Sequence, residues 1–170
     1  AAGDSPVFLE HLVNAGVQGA LVAGITDPQS LKQCFAAGEG GVVDLFIGGR
    51  LDYTFARPYA ARATVLRLLH KAQGVTPQAL VRVGNVEVVL QPDRQPFTDL
   101  RYFEQLGIDV HQKKMIVVKL GYLFPELRDF APRHIMALSP GFSDLRLDRL
   151  PYQHLVRPIY PLDKEAEWRG

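Results

Sequence analysis

Behind Ser5-Pro6, apolar residues recur at helical spacing (Val7, Phe8, Leu9, Leu12, Val13) until Gly16 interrupts them. This predicts a first helix over roughly residues 6 to 15, with Ser5 as N-cap and a proline preset for the first turn. The short apolar run from Gly19 to Ile25 is too brief for a helix and reads as a buried strand. Asp27-Pro28 repeats the cap-and-proline device. Leu31, Cys34, Phe35 and Ala36 line the inner face of a second helix that Gly38 ends. Val42–Ile47 is a strand closed by Gly48-Gly49, a pair suited to a hairpin turn. Residues 62–71 fit helix or strand by period and are taken as strand because Pro58 and Gly74 flank them. Leu80–Val83 and Val86–Leu90 alternate around Gly84-Asn85, a strong hairpin signal.

Further on, Thr98 or Asp99 caps a helix carrying Leu100, Phe103 and Leu106, with Gly107 as its stop. Consecutive branched residues make Met115–Lys119 a central strand. A short helix at 125–130 and a strand at Ile135–Leu138 follow, and after Gly141 prolines 151, 158 and 161 give an irregular tail. The pattern therefore predicts an α/β fold: one mixed-sheet domain over residues 1–170, with short flanking helices and a proline-rich C-terminal tail.

Composition narrows the function. A chain of 170 residues that is 47% apolar can build one sizeable core. Nineteen Lys and Arg against 18 Asp and Glu leave a net charge of +1, too even for a broad nucleic-acid face. No apolar run approaches the ~20 residues of a membrane helix. A single cysteine, Cys34, allows no internal disulfide and points to a reducing, cytoplasmic setting.

Candidate chemistry is sparse. The five histidines form no His-x-His or His-x-x-x-His pair, so no metal site is expected in this chain. Asp109 and His111 are the one close carboxylate–imidazole pair, read as a solvated loop with a metal site as the alternative. Gly38-Glu39-Gly40-Gly41 precedes a strand, so a helix stop and turn is preferred to a phosphate loop. Cys34 reads as a small buried hydrophobe rather than a nucleophile, and the Arg146, Asp148, Arg149 cluster as a solvated turn.

Two features remain as ligand contacts. Gly3-Asp4-Ser5 stands at a helix start, where free N–H groups hold an anion, or where the same residues simply cap the helix. Lys119 ends an apolar strand just before Gly121, placed either to meet a substrate or partner domain, or to snorkel to solvent. No catalytic residue is assigned.

An ordered set of segments resembles the C-terminal domain of the microcystinase C (MlrC) family. These are Gly3-Asp4-Ser5, Ala15-Gly16-Val17, Gly19-Ala20, Asp27-Pro28, the run from Cys34 to Gly40, Ile47-Gly48-Gly49, Gly107-Ile108-Asp109 and Val117-Val118-Lys119. Arg149-Leu150-Pro151-Tyr152 and the run from Arg157 to Asp163 complete the set. The family is one of zinc-dependent metallopeptidase-like hydrolases. The resemblance implies zinc ligands and acid/base groups in a separate N-terminal catalytic domain that precedes this segment. That domain would be this chain's partner, acting on a peptide or other amide substrate.

Two departures stand out. Where the family commonly continues Lys-Ser-x-x-His-Phe, this chain has Leu120 and Leu123 in place of serine and histidine. Its entrance reads Gly3-Asp4-Ser5-Pro6 instead of Gly-Asp-Gly-Thr. The leading expectation is an accessory domain that packs on the catalytic domain and helps form the substrate cleft, inactive alone. The alternatives are a non-catalytic small-molecule or protein-binding module and an enzyme built on Asp109 and His111. An exposed apolar patch at the entrance to the first helix favours the accessory domain. A closed polar surface with one concave pocket favours the binding module.

Overall fold

The computed structural model describes residues 3–51, 53–138 and 144–167. The chain divides into two compact units, Ala1–His134 and Ile135–Gly170. The first holds the α/β fold. Its elements are α1 (Val7–Asn14), β1 (Ala20–Thr26), α2 (Pro28–Ala37), β2 (Val42–Ile47), β3 (Tyr59–Leu69), β4 (Gln78–Val83), β5 (Val86–Gln91), α3 (Arg101–Glu104), β6 (Met115–Val118) and α4 (Pro125–Phe130). One six-stranded sheet runs in the order β2-β3-β4-β5-β1-β6. β1 pairs in parallel with β5 and β6, and the remaining pairs are antiparallel.

Side-chain alternation builds two cores. Ala20 and Val22 of β1, with Val81, Val83, Val86 and Val88, face α1 and α2 and pack on Leu9, Leu12, Leu31 and Cys34. Leu21, Ala23, Leu80 and Val89 face the other way, against Phe97, Phe103, Leu106, Ile108 and Leu127. Between Val22 and Ile25 the register of β1 shifts, with Gly24 at φ +81°. The extra residue of such a bulge reverses the alternation, so Ile25 joins Val22 in the first core.

The hairpin at Gly84-Asn85 forms as expected, with a positive φ at Gly84 alone, as a type II′ turn takes it. Gly38–Gly41 is a helix stop and turn, bonded through Gly40 N and Gly41 O to Val65 of β3.

Several expectations are corrected. Gly48-Gly49 is not a hairpin turn. β2 does pair with β3, but through a connection running from Gly48 to Pro58. Met115–Val118 lies at the sheet edge, not its centre, and the strand flanked and covered on both faces is β1. A branched apolar run fixes neither a strand's depth nor its number of neighbours: here Met115 is exposed and Ile116, Val117 and Val118 are only half-buried. The exposed Lys114 beside this strand is the kind of charged residue that suits an edge. The helix expected to reach Leu106 is one turn, Arg101–Glu104, and Gly107 (φ +64°) closes it by donating to Glu104 O. Residues 135–138 form no strand, and Ile135 is 91% exposed.

The second unit, in its described part, is irregular apart from a 3₁₀ turn, Leu147–Arg149. Arg157 holds Asp163 in a two-toothed ion pair, and Asp163 Oδ2 also accepts from Ile159 N at 2.8 Å. That pairing ties together the two ends of the Arg157–Asp163 motif. Among the described residues no helix is long and apolar enough to cross a membrane.

Candidate functional site

Two residues separated in sequence by more than a hundred positions meet at one point. Lys119, just past β6, donates from Nζ to Ser5 O at 2.8 Å. Both candidate features, Gly3-Asp4-Ser5 and Lys119, therefore belong to one site. Lys119 does not snorkel freely: it is half-buried, and burial pulls its ammonium pKa below the usual value while the Asp4 carboxylate works against that shift. Among the described residues Ser5 O is the acceptor the ammonium uses, which leaves protons for another carbonyl or carboxylate.

Gly3-Asp4-Ser5 acts mainly through its backbone. Gly3 O accepts from Thr26 N at the end of β1 (3.3 Å), and Asp4 O accepts from Gly49 N (2.9 Å). The Asp4 side chain is 6% exposed, and its Oδ2 takes the amides of Arg50 (2.5 Å) and Leu51 (2.7 Å). The capping expectation is corrected here. The N-cap of α1 is Pro6, whose ring carries no acceptor for a side-chain cap bond, and Ser5 stands one residue outside the cap position.

A second carboxylate completes the knot. Asp27, with a fully buried side chain, caps α2 through Ser30 N (2.9 Å) and also accepts from Gly48 N (2.8 Å). It pairs with Arg50 Nη1 at 2.8 Å, while Arg50 Nη2 donates to Phe46 O at 2.7 Å. A buried carboxylate needs such saturation. Sequence reasoning saw Asp27 only as a cap and missed Arg50. The available signal was the glycine pair. A Cβ on Gly48 would sit 1.9 Å from Asp4 O, and one on Gly49 would sit 2.2 Å from the Arg57 backbone. The two glycines mark a close approach of three backbone segments.

The same knot projects an apolar loop. Past Leu51, the segment 53–60 and Val7 and Glu10 of α1 line an open groove of about 540 Å3. Leu51 is 55% exposed, Tyr53 70%, Phe55 52% and Phe8 40%.

The other candidates are structural. Asp109 accepts from His111 N (3.0 Å) and Gln112 Nε2 (2.8 Å), and the His111 ring packs edge-on against Phe130. Cys34 is fully buried, and burial followed by the nearby Asp27 charge pushes its thiol up to about 11. Arg146 and Asp148 form an exposed pair at 2.6 Å. Among the described residues no three His, Cys, Asp or Glu side chains come together to hold a metal ion. Asp4 and Asp27 are committed to amides and a guanidinium, so zinc finds no donor set there.

The family model described as MlrC C-terminus matches residues 1–154. The chain belongs to this family. Among curated proteins, none matches the chain. A crystal structure of a "Putative metallopeptidase" from Mesorhizobium sp. BNC1 shares the fold of this MlrC C-terminal domain with a TM-score of 0.77, at 21% identity over 99% of this chain. The chain covers 36% of that protein, so it spans about a third of its length.

Proposed function

We propose that this MlrC C-terminal domain is the accessory part of a metal-dependent peptidase or hydrolase, packing on a preceding catalytic domain and helping wall its substrate cleft. The observation that carries the reading is the knot of Asp4, Asp27, Arg50 and Lys119. It fixes the point where the chain enters the domain and projects Leu51, Tyr53 and Phe55 beside that point. Exposed aromatic clusters are uncommon on lone soluble domains and suit a partner surface. A domain preceding Gly3 is tethered next to this surface, at high effective concentration.

In this reading the chain positions substrate and performs no bond cleavage. Lys119 offers ammonium protons, and the first turn of α1, free of a side-chain cap, offers N–H groups to a substrate carbonyl or carboxylate. Zinc and the acid/base groups lie in the preceding domain, where the metal would polarise the scissile amide. Leu120 and Leu123, in place of the family's serine and histidine, give this branch a more apolar cleft wall and a different substrate preference. A reducing, cytoplasmic setting fits the single buried thiol.

The test is co-expression of this chain with the polypeptide encoded upstream of Ala1. The wild-type chain should co-purify with it at one to one, and the double variant Tyr53→Ser, Phe55→Ser should not. Absence of upstream coding sequence, or a complex indifferent to both substitutions, overturns the reading.

A further inference from the structure

β4 begins and β5 ends with a glutamine on the same sheet edge, where Ala79 pairs with Leu90. Both residues are buried, Gln78 at 3% and Gln91 at 0% exposure, beside cores built of apolar side chains. The fold makes room for them. A Cβ on Gly24, in the β1 bulge, would press to 3.2 Å on both Gln91 Nε2 and Phe97. Two amides buried where aliphatic residues would pack at lower cost ask for a use.

The hydrogen bonds orient both amides. Gln95 O can only accept, so Gln91 turns Nε2 to it (2.7 Å). Gln91 Oε1 then accepts from Gln78 Nε2 (3.4 Å). This leaves Gln78 Oε1 with no donor among the described residues. Among the described residues no fully buried side-chain oxygen lacks a partner, so this oxygen keeps a solvent-accessible side, and Gln78 lines a cavity.

That cavity has a volume of about 200 Å3, and Thr76, Gln78, Gln95, Arg101, Tyr102 and Gln105 lie in its wall. It has room for about seven waters at roughly 30 Å3 each, or one ring-sized molecule. Arg101 is paired with Asp99, which takes Nη2 at 2.6 Å and Nε at 2.9 Å. The other groups are amides and hydroxyls, which both donate and accept. The site also lies where β5 ends, on the carboxyl edge of the parallel strands where α/β sheets gather ligands.

We propose that this cavity binds a small, neutral, polyhydroxylated molecule, of the size of one sugar ring, with Gln78 Oε1 accepting from a ligand hydroxyl. Apart from Arg101, whose partner Asp99 offsets its charge, the wall is uncharged and amphoteric, so an anion would meet mostly acceptors and the Asp99 carboxylate beside the one cation. The cavity lies within Ala1–His134, so its failure leaves the domain-packing reading untouched.

The test is a 1H–15N correlation titration of the 170-residue chain with D-glucose, myo-inositol and glycerol, and with L-glutamate as the charged counterpart. At least one neutral polyol should give saturable shifts confined to amides at 74–78, 95 and 101–105, and glutamate none. Gln78→Leu and Thr76→Val should each weaken binding by about tenfold, the loss of one hydrogen bond of roughly 1.4 kcal/mol. Thr76→Val carries the comparison if Gln78→Leu, which also strips Gln91 of its donor, fails to fold. A cavity that holds only water gives no saturable shift with any polyol, and that result overturns the proposal. Tighter binding of glutamate, or polyol binding unchanged in the variants, overturns it equally.

Discussion

Gly48 separates two costs that a glycine can hide. Its φ of +61° penalises any side chain, and a Cβ there would collide with Asp4 O. Gly16 has the same φ region, at +64°, with open space around it. Gly16→Ala should therefore cost only the left-handed penalty of about 1–2 kcal/mol. Gly48→Ala should cost roughly 3 kcal/mol or more, because the backbone of the knot must also move. Urea denaturation of both variants measures the difference, and equal costs would mean that the contact with Asp4 is slack.

Cys34 gives the pH dependence at this scale. Its folded pKa of about 11 exceeds that of an unfolded thiol, so folding favours the neutral form. The stabilisation is complete below the unfolded value and fades as pH rises toward about 11. Lys119 acts in the opposite sense, since its lowered pKa makes folding less favourable while the ammonium is charged and relieves that cost as pH rises. Denaturation midpoints between pH 8 and pH 11 should fall less steeply in Cys34→Ala than in the parent. An unchanged slope would remove Cys34 from the account.

At the scale of elements, the Asp4 carboxylate is the tie between the entry segment and the loop after β2. Asp4→Ala leaves the amides of Arg50 and Leu51 without their acceptor, a loss of about 1–3 kcal/mol. Hydrogen exchange at those two amides should quicken while the β4–β5 hairpin stays protected. Uniform quickening would show that Asp4 supports the whole fold instead of the loop.

What could be read from the sequence follows the same division. Both long helices, β1, β2 and the Gly84-Asn85 hairpin were legible, because periodicity and turn chemistry act within a few residues. Edge against centre for Met115–Val118 was not, because neighbours in a sheet are set by topology. Gly48-Gly49 was visible as a demand for positive φ, but its partner Asp4 lies more than forty positions away. Asp27 was legible as a cap, and its hold on Arg50 was not. Gly3-Asp4-Ser5 and Lys119 were singled out separately, and only the fold joins them through Ser5 O. The glutamine pair went unnoticed, since a polar residue at a strand end looks like the start of a loop.

At the scale of the molecule, residues that stabilise and residues that face outward are organised around one sheet edge. Asp27 N bonds to Gln91 O, linking the knot to the strand that ends at the polar cavity. The knot holds the aromatic loop beside the chain entry, while the strand and helix interiors carry the two apolar cores. This is the arrangement that the proposed role, a rigid companion to a catalytic domain, would require.

The most direct measurement compares zinc content and peptide hydrolysis in two polypeptides after chelator treatment, dialysis and addition of zinc. One is the 170-residue chain, and the other is the same chain extended through its native upstream sequence. The account predicts bound zinc and turnover only in the extended protein, with turnover lowered and zinc retained when Lys119 is changed to Met. Stoichiometric zinc or peptide cleavage in the 170-residue chain alone would contradict it.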